Sequence, residues 1–358
     1  MISRARLHDR WPRIALRFSY ISFLLEVKPM FHRSAFLMAK ASMAACVGAL
    51  ALTHFSVQAQ DAYPTRPVAF VVPFASGNVV DLTARSFAKH MGDSLGQALV
   101  VENKPGAYAS IGTTLVARAK PDGYTMMIGT NVTHSMNPQI MKSIRYDPIK
   151  DFEAVAVLGV NGNVLLVNKN SPFNSFADFI KYGKEHPGKL NHAASIGSSA
   201  HLAAELLKQE VKGLDYNLIP YNSGALEAIL GGHVDFVITN IGTAIGQIQA
   251  GKVKVLAVTT KERFARLPNV PTVSESGVPG FEVLGWMGVF MPKGTPASVV
   301  KRINEEINKA QKNPELRKTM DGAEVILLER TPEQTAAYVK EEYERWGKVI
   351  RAANIKVD

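Results

Sequence analysis

VAFVVPFASGNVVDLTAR, residues 68–85, decides the fold. VAFVV is a short run of β-branched and aromatic residues without a polar break, the pattern of a strand buried on both faces. Pro73 ends it, because proline has no N–H to give to a ladder. Ser76, Gly77 and Asn78 then make a polar turn. From Asp81 the segment LTARSFAKHM carries helical spacing of its apolar positions, and Asp81 reads as the residue that caps this helix. Strand, loop and helix in this order aim backbone N–H groups and a helix N-terminus at one spot, which suits a small anion. The same layout occurs in α/β proteins that bind nothing there. The stretch alone therefore fixes an α/β class and leaves binding open.

Outward from it, strand and helix keep alternating. ALVVENKPGA, IGTTLVARAK and YTMMIGT read as strand with turn, helix, and strand, which predicts a parallel sheet with right-handed crossovers. The last of these strands ends in a second polar loop, Asn131 to Pro138. If the two strands are neighbours, both loops lie at one sheet edge. Val155–Val167 is a long apolar run with a Gly/Asn middle, suited to a strand that crosses between domains. A second α/β series follows. LNHAASIG runs into Gly197-Ser198-Ser199-Ala200-His201 and a helix striped by Leu202, Leu206, Leu207 and Val211. The serines stand where N-caps belong. LIPY ends in Tyr221-Asn222-Ser223-Gly224, and VDFVIT ends in Asn240. GFEVLGWMGVFMP (280–292) is a second crossing segment, and the tail from Thr295 is helical with solvated charged faces. The expected organisation is a leader at 1–59, one domain from 60–158 plus 288–358, and an inserted domain at 159–287. Two such domains joined by two crossing strands fit a hinged, two-lobed plan.

Composition narrows the function. The 358 residues are 46% hydrophobic and 20% charged, enough apolar content for a core. The formal charge is +10, but residues 1–59 hold eight Lys/Arg against two acids. The remainder mixes its signs and shows no basic run with interleaved aromatics, so nucleic acid is not an expected partner. Residues 30–59 read as a secretory signal: Arg33 and Lys40, then ASMAACVGALAL, then a small-residue site at Val57-Gln58-Ala59, with cleavage expected after Ala59. Met30 or Met38 is the expected initiator. The single cysteine, Cys46, lies inside this signal, and MAAC is a poor match to a lipid-attachment motif. The mature chain then has neither disulfide nor thiol chemistry.

At this point the chain resembles the periplasmic receptors of tripartite tricarboxylate transporters, the Bug-type solute-binding proteins. The resemblance covers nearly all of residues 62–358. It rests on VVPFASGNVVDLTAR, VENKPGAYASIGTTLVARAKPDGYT, GTNVTHSMNP, YDPIKDFEAVAV, SIGSSAHLAAELL, IPYNSGALEAILGGHVD, GKVKVLAVTTKERFARLPNVPTVSESGVPGFE and PKGTPASVVKRIN, in that order. It implies a two-domain, type II-like periplasmic-binding-protein clamp with a small carboxylate in the cleft and no cofactor. It implies a ligand set of Phe74, Ala75, Ser76, Gly77, Asn78 and Asp81; Asn131, Val132, Thr133, His134 and Asn137; and Ser198, Ser199 and His201. Tyr221, Ser223, Gly224 and Asn240 lie nearby. It implies a periplasmic monomer whose partner is a membrane transporter of this type, or alternatively a sensor. The chain departs from the family pattern at Ser76-Gly77-Asn78, usually Pro-Gly-Gly, and at Ile238-Thr239-Asn240, usually Phe-Asp-Asn. Loss of the acidic residue at Thr239 favours a more acidic or larger ligand.

Several of these residues have a structural reading beside the functional one. His134 suits a loop-pinning histidine better than a carboxylate donor, and His201 reads as structural. Asp81 would repel an anion and suits a cap better. Ser198 and Ser199 can cap a helix and meet an anion with the same N–H groups. Tyr221 fits core or cleft wall equally. An enzyme is not expected. No Ser-His-Asp set, HExxH or P-loop occurs, and the histidines after residue 59 lack metal-ligand spacing. A hydrolase built on Ser198 or Ser199 would need a base that the sequence does not supply.

Overall fold

The computed structural model describes residues 63–221 and 224–356. The expected leader, its cleavage site and Ser223 lie outside the described residues. Within them the strands are β1 (Val68–Val72), β2 (Leu99–Asn103), β3 (Thr125–Thr130), β4 (Phe152–Asn168), β5 (Leu190–Ala194), β6 (Tyr216–Pro220), β7 (Val237–Asn240), β8 (Val253–Val258), β9 (Leu284–Pro292) and β10 (Ile326–Leu327). The helices are α1 (Val79–Leu95), α2 (Ser110–Ala117), α3 (Asn137–Ile140), α4 (Phe176–Glu185), α5 (Ser199–Glu210), α6 (Ala225–Leu230), α7 (Ile241–Gln249), α8 (Ala297–Ala310), α9 (Pro314–Gly322) and α10 (Pro332–Ala352).

β4 organises the molecule. It is one unbroken strand of 17 residues, although the sequence puts glycine and asparagine in its middle. Its first part, Phe152–Gly162, pairs antiparallel with β9, and its last part, Asn163–Asn168, pairs with β7 and β8. The first sheet runs β10-β4-β9-β3-β1-β2. β1 is parallel to both β2 and β3, as βαβ crossovers require. In the second lobe β5 and β6 are parallel, and a bridge from His192 to Phe236 ties them to the β7 side. The fold is thus an α/β two-lobed clamp whose lobes share crossing strands.

Each lobe has its own packing. Val68, Phe70, Val72, Met126 and Ile128 meet Phe87 and Met91 of α1 and Ile303 and Ile307 of α8. The opposite face of that sheet holds Val71, Met127, Phe152, Trp286 and Phe290. Met126 and Met127 are thus core on opposite faces, as strand alternation dictates. In the second lobe Leu202, Ala203, Ala204 and Leu207 of α5 join Phe179, Phe236 and Leu165. Each fully buried leucine there is worth about 2 kcal/mol of transfer free energy. The same cluster takes in Met136 and Ile140 from the loop after β3, and Trp346, Val349 and Ile350 of α10. α10 therefore packs on both lobes, since its Val339 belongs to the β9 face of the first sheet.

Candidate functional site

The site is built where strand ends of the two lobes meet. After β1, Ala75 to Asn78 are exposed and Phe74 is half-buried. α1 starts at Val79, and its cap is Asn78, whose Oδ1 accepts from Val80 N at 2.8 Å and Asp81 N at 3.0 Å. This corrects the expectation that Asp81 is the cap. Asp81 sits at the third helical position and its carboxylate reaches back to Gly77 N at 3.0 Å. It also binds Arg85 Nε at 3.1 Å and Asn103 Nδ2 at 2.9 Å. Burial alone would raise its pKa, but these donors hold it below the usual carboxylate value. The carboxylate is fully engaged in shaping the loop, and Asn103 extends the brace to Phe74 O.

After β3 the chain forms a π-helical turn, Val132–Met136, that runs into α3. Thr133 Oγ1 accepts from Thr130 N and lies 2.9 Å from His134 Nδ1. His134 is fully buried, stacked on Phe290 with centroids 3.7 Å apart and packed beside Phe152 and Trp286. Burial lowers its pKa to about 3. It is a neutral ring set in an aromatic pack, and it carries no charge to offer a ligand. Asn131 is buried, Val132 is half-buried against the α5–α10 cluster, and Asn137 Nδ2 donates to Tyr108 O.

In the second lobe Ser198 caps α5 by accepting from His201 N at 3.1 Å. His201 Nδ1 accepts from Gly197 N at 3.1 Å, so its proton sits on Nε2, 3.8 Å from Glu205. Burial lowers its pKa to about 4. The first amides of α5 have no intrahelical acceptor. Ser199 Oγ donates to Asn163 Oδ1 on β4 at 3.4 Å. Asn163 is 1% exposed and its own Nδ2 reaches Val283 O at 3.4 Å. A Cβ on Gly285 would come within 2.3 Å of Asn161 Oδ1 and 3.7 Å of Ser199 Oγ. The start of α5 thus stands over a polar floor, Asn161 and Asn163, on the crossing strand. A Cβ on Gly197 would lie 2.9 Å from Ile140, so the loop before α5 abuts the segment after β3. Asn240 pairs with Asn163 in register and caps α7 through Gly242 N. Gly224 caps α6 with φ +84°, and Tyr221 is half-buried against the β7–β8 core.

The structure therefore brings together the loop after β3, the start of α5 and Asn240 around β4. It turns Thr133, His134, His201 and Asp81 inward as scaffold. Asn161 and Asn163 are not in the set drawn from sequence. Their signal is visible there, two asparagines flanking Gly162 inside an otherwise apolar strand, a burial that polar groups tolerate only with partners. Among the described residues no group of three or more His, Cys, Asp or Glu could hold a metal ion. No helix of these residues is long and apolar enough to cross a membrane.

Two lobes sharing crossing strands, with the capped start of α5 standing over Asn161 and Asn163, define a solute-binding protein. The chain belongs to the tripartite tricarboxylate transporter receptor family, whose sequence profile matches residues 83–355. It is 40% identical over 311 residues to the UPF0065 protein in the tcbD-tcbE intergenic region of Pseudomonas sp. strain P51, covering 84% of this chain and 91% of that one. Among solved structures it is similar to Rhodopseudomonas palustris Rpa4515 with adipate, at 34% identity and a TM-score of 0.74, covering 82% and 99% of the two chains. It is also similar to MatC from the same organism with bound malate, at 34% identity and a TM-score of 0.71, covering 80% and 100%. The family and these neighbours are solute-binding proteins and not enzymes.

Proposed function

We propose that this chain captures a small carboxylate in the cleft between its lobes and delivers it to the membrane subunits of a tripartite tricarboxylate-type transporter. The observation that carries the reading is the start of α5 over Asn161 and Asn163. There the first helix amides lack acceptors within the helix, and the Ser199 hydroxyl donates to Asn163 in a floor of buried amide side chains. Helix N-terminal amides favour an anion, and asparagine amides donate to carboxylate oxygens. Adipate and malate in the two structural neighbours support the class of ligand. The exposed turn Ser76 to Asn78, together with Asn131 and Asn137, supplies the first lobe's side of the site. Asp81 and the two histidines hold these loops in place. The chain is exported, with cleavage after Ala59, and its lobes comprise 60–158 with 288–358, and 159–287. Closure follows from a ligand that binds the closed form better than the open one.

A thermal-shift screen of the purified protein tests this. Mono-, di- and tricarboxylates and aromatic acids are the panel. At least one acid is expected to raise Tm in a concentration-dependent way. A panel in which none does overturns the proposal.

A further inference from the structure

The loop between β2 and α2 plays no part in the reading above, and its backbone is strained. Gly106, Ala107, Tyr108 and Ala109 have φ of +124°, +43°, +53° and +69°. Left-handed φ is open to glycine, whereas in other residues Cβ crowds the following carbonyl. Three successive non-glycine residues there are an outlier of the kind that surroundings must impose, and such outliers cluster at binding sites.

The surroundings do impose it. Asn137 Nδ2 holds Tyr108 O, and Ala109 is buried. Gly112 leaves no room for a Cβ, which would lie 2.8 Å from Lys104 O and 3.0 Å from Pro73 Cα. The first turn of α2 is thus pressed onto the end of β1. The register pairs Val72 with Asn103 and Val71 with Met127, so the loop leaves the same sheet edge as Phe74–Asn78 and Asn131–Asn137. α1 and α2 pack on opposite faces of this sheet, α1 through Phe87 and Met91, α2 through Val116. The chain therefore crosses over β1 toward β3, and the loop after β3 takes hold of it. Tyr108 O is thereby held by the loop after β3, at the sheet edge beside the crevice between β1 and β3, where open α/β sheets receive ligands. The residue is 42% exposed. Among the described residues its hydroxyl has no hydrogen-bond partner and its ring packs on no other ring.

We propose that Tyr108 is a specificity-determining residue of the cleft. Its ring covers the part of the ligand away from the bound carboxylate, so acids with an aromatic or apolar body are preferred over small, wholly polar ones. A residue that served only the turn would do so best as glycine, so a tyrosine held at φ +53° points to use of the side chain. The proposal rests on the reading of the cleft as a carboxylate site.

Titration of purified wild-type protein, Tyr108→Gly and Tyr108→Phe with benzoate, phthalate, succinate and malate tests it. Tyr108→Gly relieves the backbone, so its Tm is expected to equal or exceed that of wild type. Its affinity for the aromatic acids is expected to fall about tenfold, a typical worth of an aromatic contact with its burial, and that for succinate and malate to stay within about twofold. Tyr108→Phe is expected to keep the wild-type order of acids. If Tyr108→Gly keeps every affinity, or weakens all four acids equally, Tyr108 does not select ligands and the inference is overturned. Wild-type protein that binds no carboxylate overturns both this inference and the function it rests on.

Discussion

Acid should destabilise this protein steeply, and the size of the effect follows from three buried histidines. His134 and His192 are fully buried and His201 nearly so, and burial lowers their pKa values to about 3, about 3 and about 4, from 6.5. A histidine lowered in the fold binds fewer protons there than in the unfolded chain. Its contribution is therefore complete above pH 6.5 and is lost as pH falls from 6.5 toward its folded value. Each unit of that fall removes about 1.4 kcal/mol per histidine. At pH 5.0 the loss is about 2 kcal/mol for one ring and about 6 kcal/mol for three. Glu205 and Glu342, raised by burial, take up protons earlier in the fold than in the unfolded chain and oppose part of this. The histidines set the loss between pH 7.5 and pH 5.0 at no more than about 6 kcal/mol, a large share of a typical domain stability of about 5–15 kcal/mol, and the glutamates reduce it. Asp81, lowered by its donors, titrates below this window and does not contribute. Urea unfolding followed by tryptophan fluorescence at the two pH values measures it. His134→Gln should lower stability at pH 7.5 and shrink the acid-induced loss by about 2 kcal/mol. Unfolding free energies that agree within about 1 kcal/mol between the two pH values would refute the reasoning.

Two further perturbations probe the junction of the lobes. Gly285→Ala places a methyl group against Asn161 and near Ser199; it should weaken carboxylate binding tenfold or more and cost about 1–3 kcal/mol of stability by overpacking. Calorimetry that finds an unchanged affinity would remove this floor from the site. Glu324, in the turn after α9, has φ +60° and a carboxylate 4% exposed, paired at 2.7 Å with Arg266 from the loop after β8. Arg266→Ala strands that buried charge and should cost about 2 kcal/mol. Glu324→Gly also removes the pair but relieves the left-handed backbone by about 1 kcal/mol, so it should be nearly neutral. Chemical denaturation that ranks the two variants the other way would contradict this account of the turn.

The lobed fold was legible because its signals are local. VAFVV followed by Pro73, the second series at LNHAASIG, and the long apolar segments each state their structure in a few residues. What was not legible depends on partners distant in the chain. Asn78 and Asp81 are both fair cap residues, and only the bond from Gly77 and the brace from Asn103 assign Asn78 the cap and Asp81 the reciprocal role. His134 looks like a polar loop residue until Phe152, Trp286 and Phe290, far away in sequence, close around it. Asn161 and Asn163 read as a break in a strand, whereas pairing with β9, β7 and β8 keeps the strand whole and turns their side chains to the α5 side. The positive φ angles at Ala107, Tyr108 and Ala109 have no sequence signature, because alanine and tyrosine do not announce a left-handed turn.

The central claim is that an anion sits at the start of α5, and one titration addresses it. Ser199→Asp leaves α5 intact, since an acidic residue in the first helical turn suits the dipole. Beside a bound carboxylate, however, it sets like charges about 4 Å apart, worth about 4 kcal/mol at an effective dielectric near 20. Calorimetry with the acid that most stabilises the wild-type protein should show one equivalent bound by wild type and at least a hundredfold weaker binding by Ser199→Asp. Equal binding by both proteins would contradict the account.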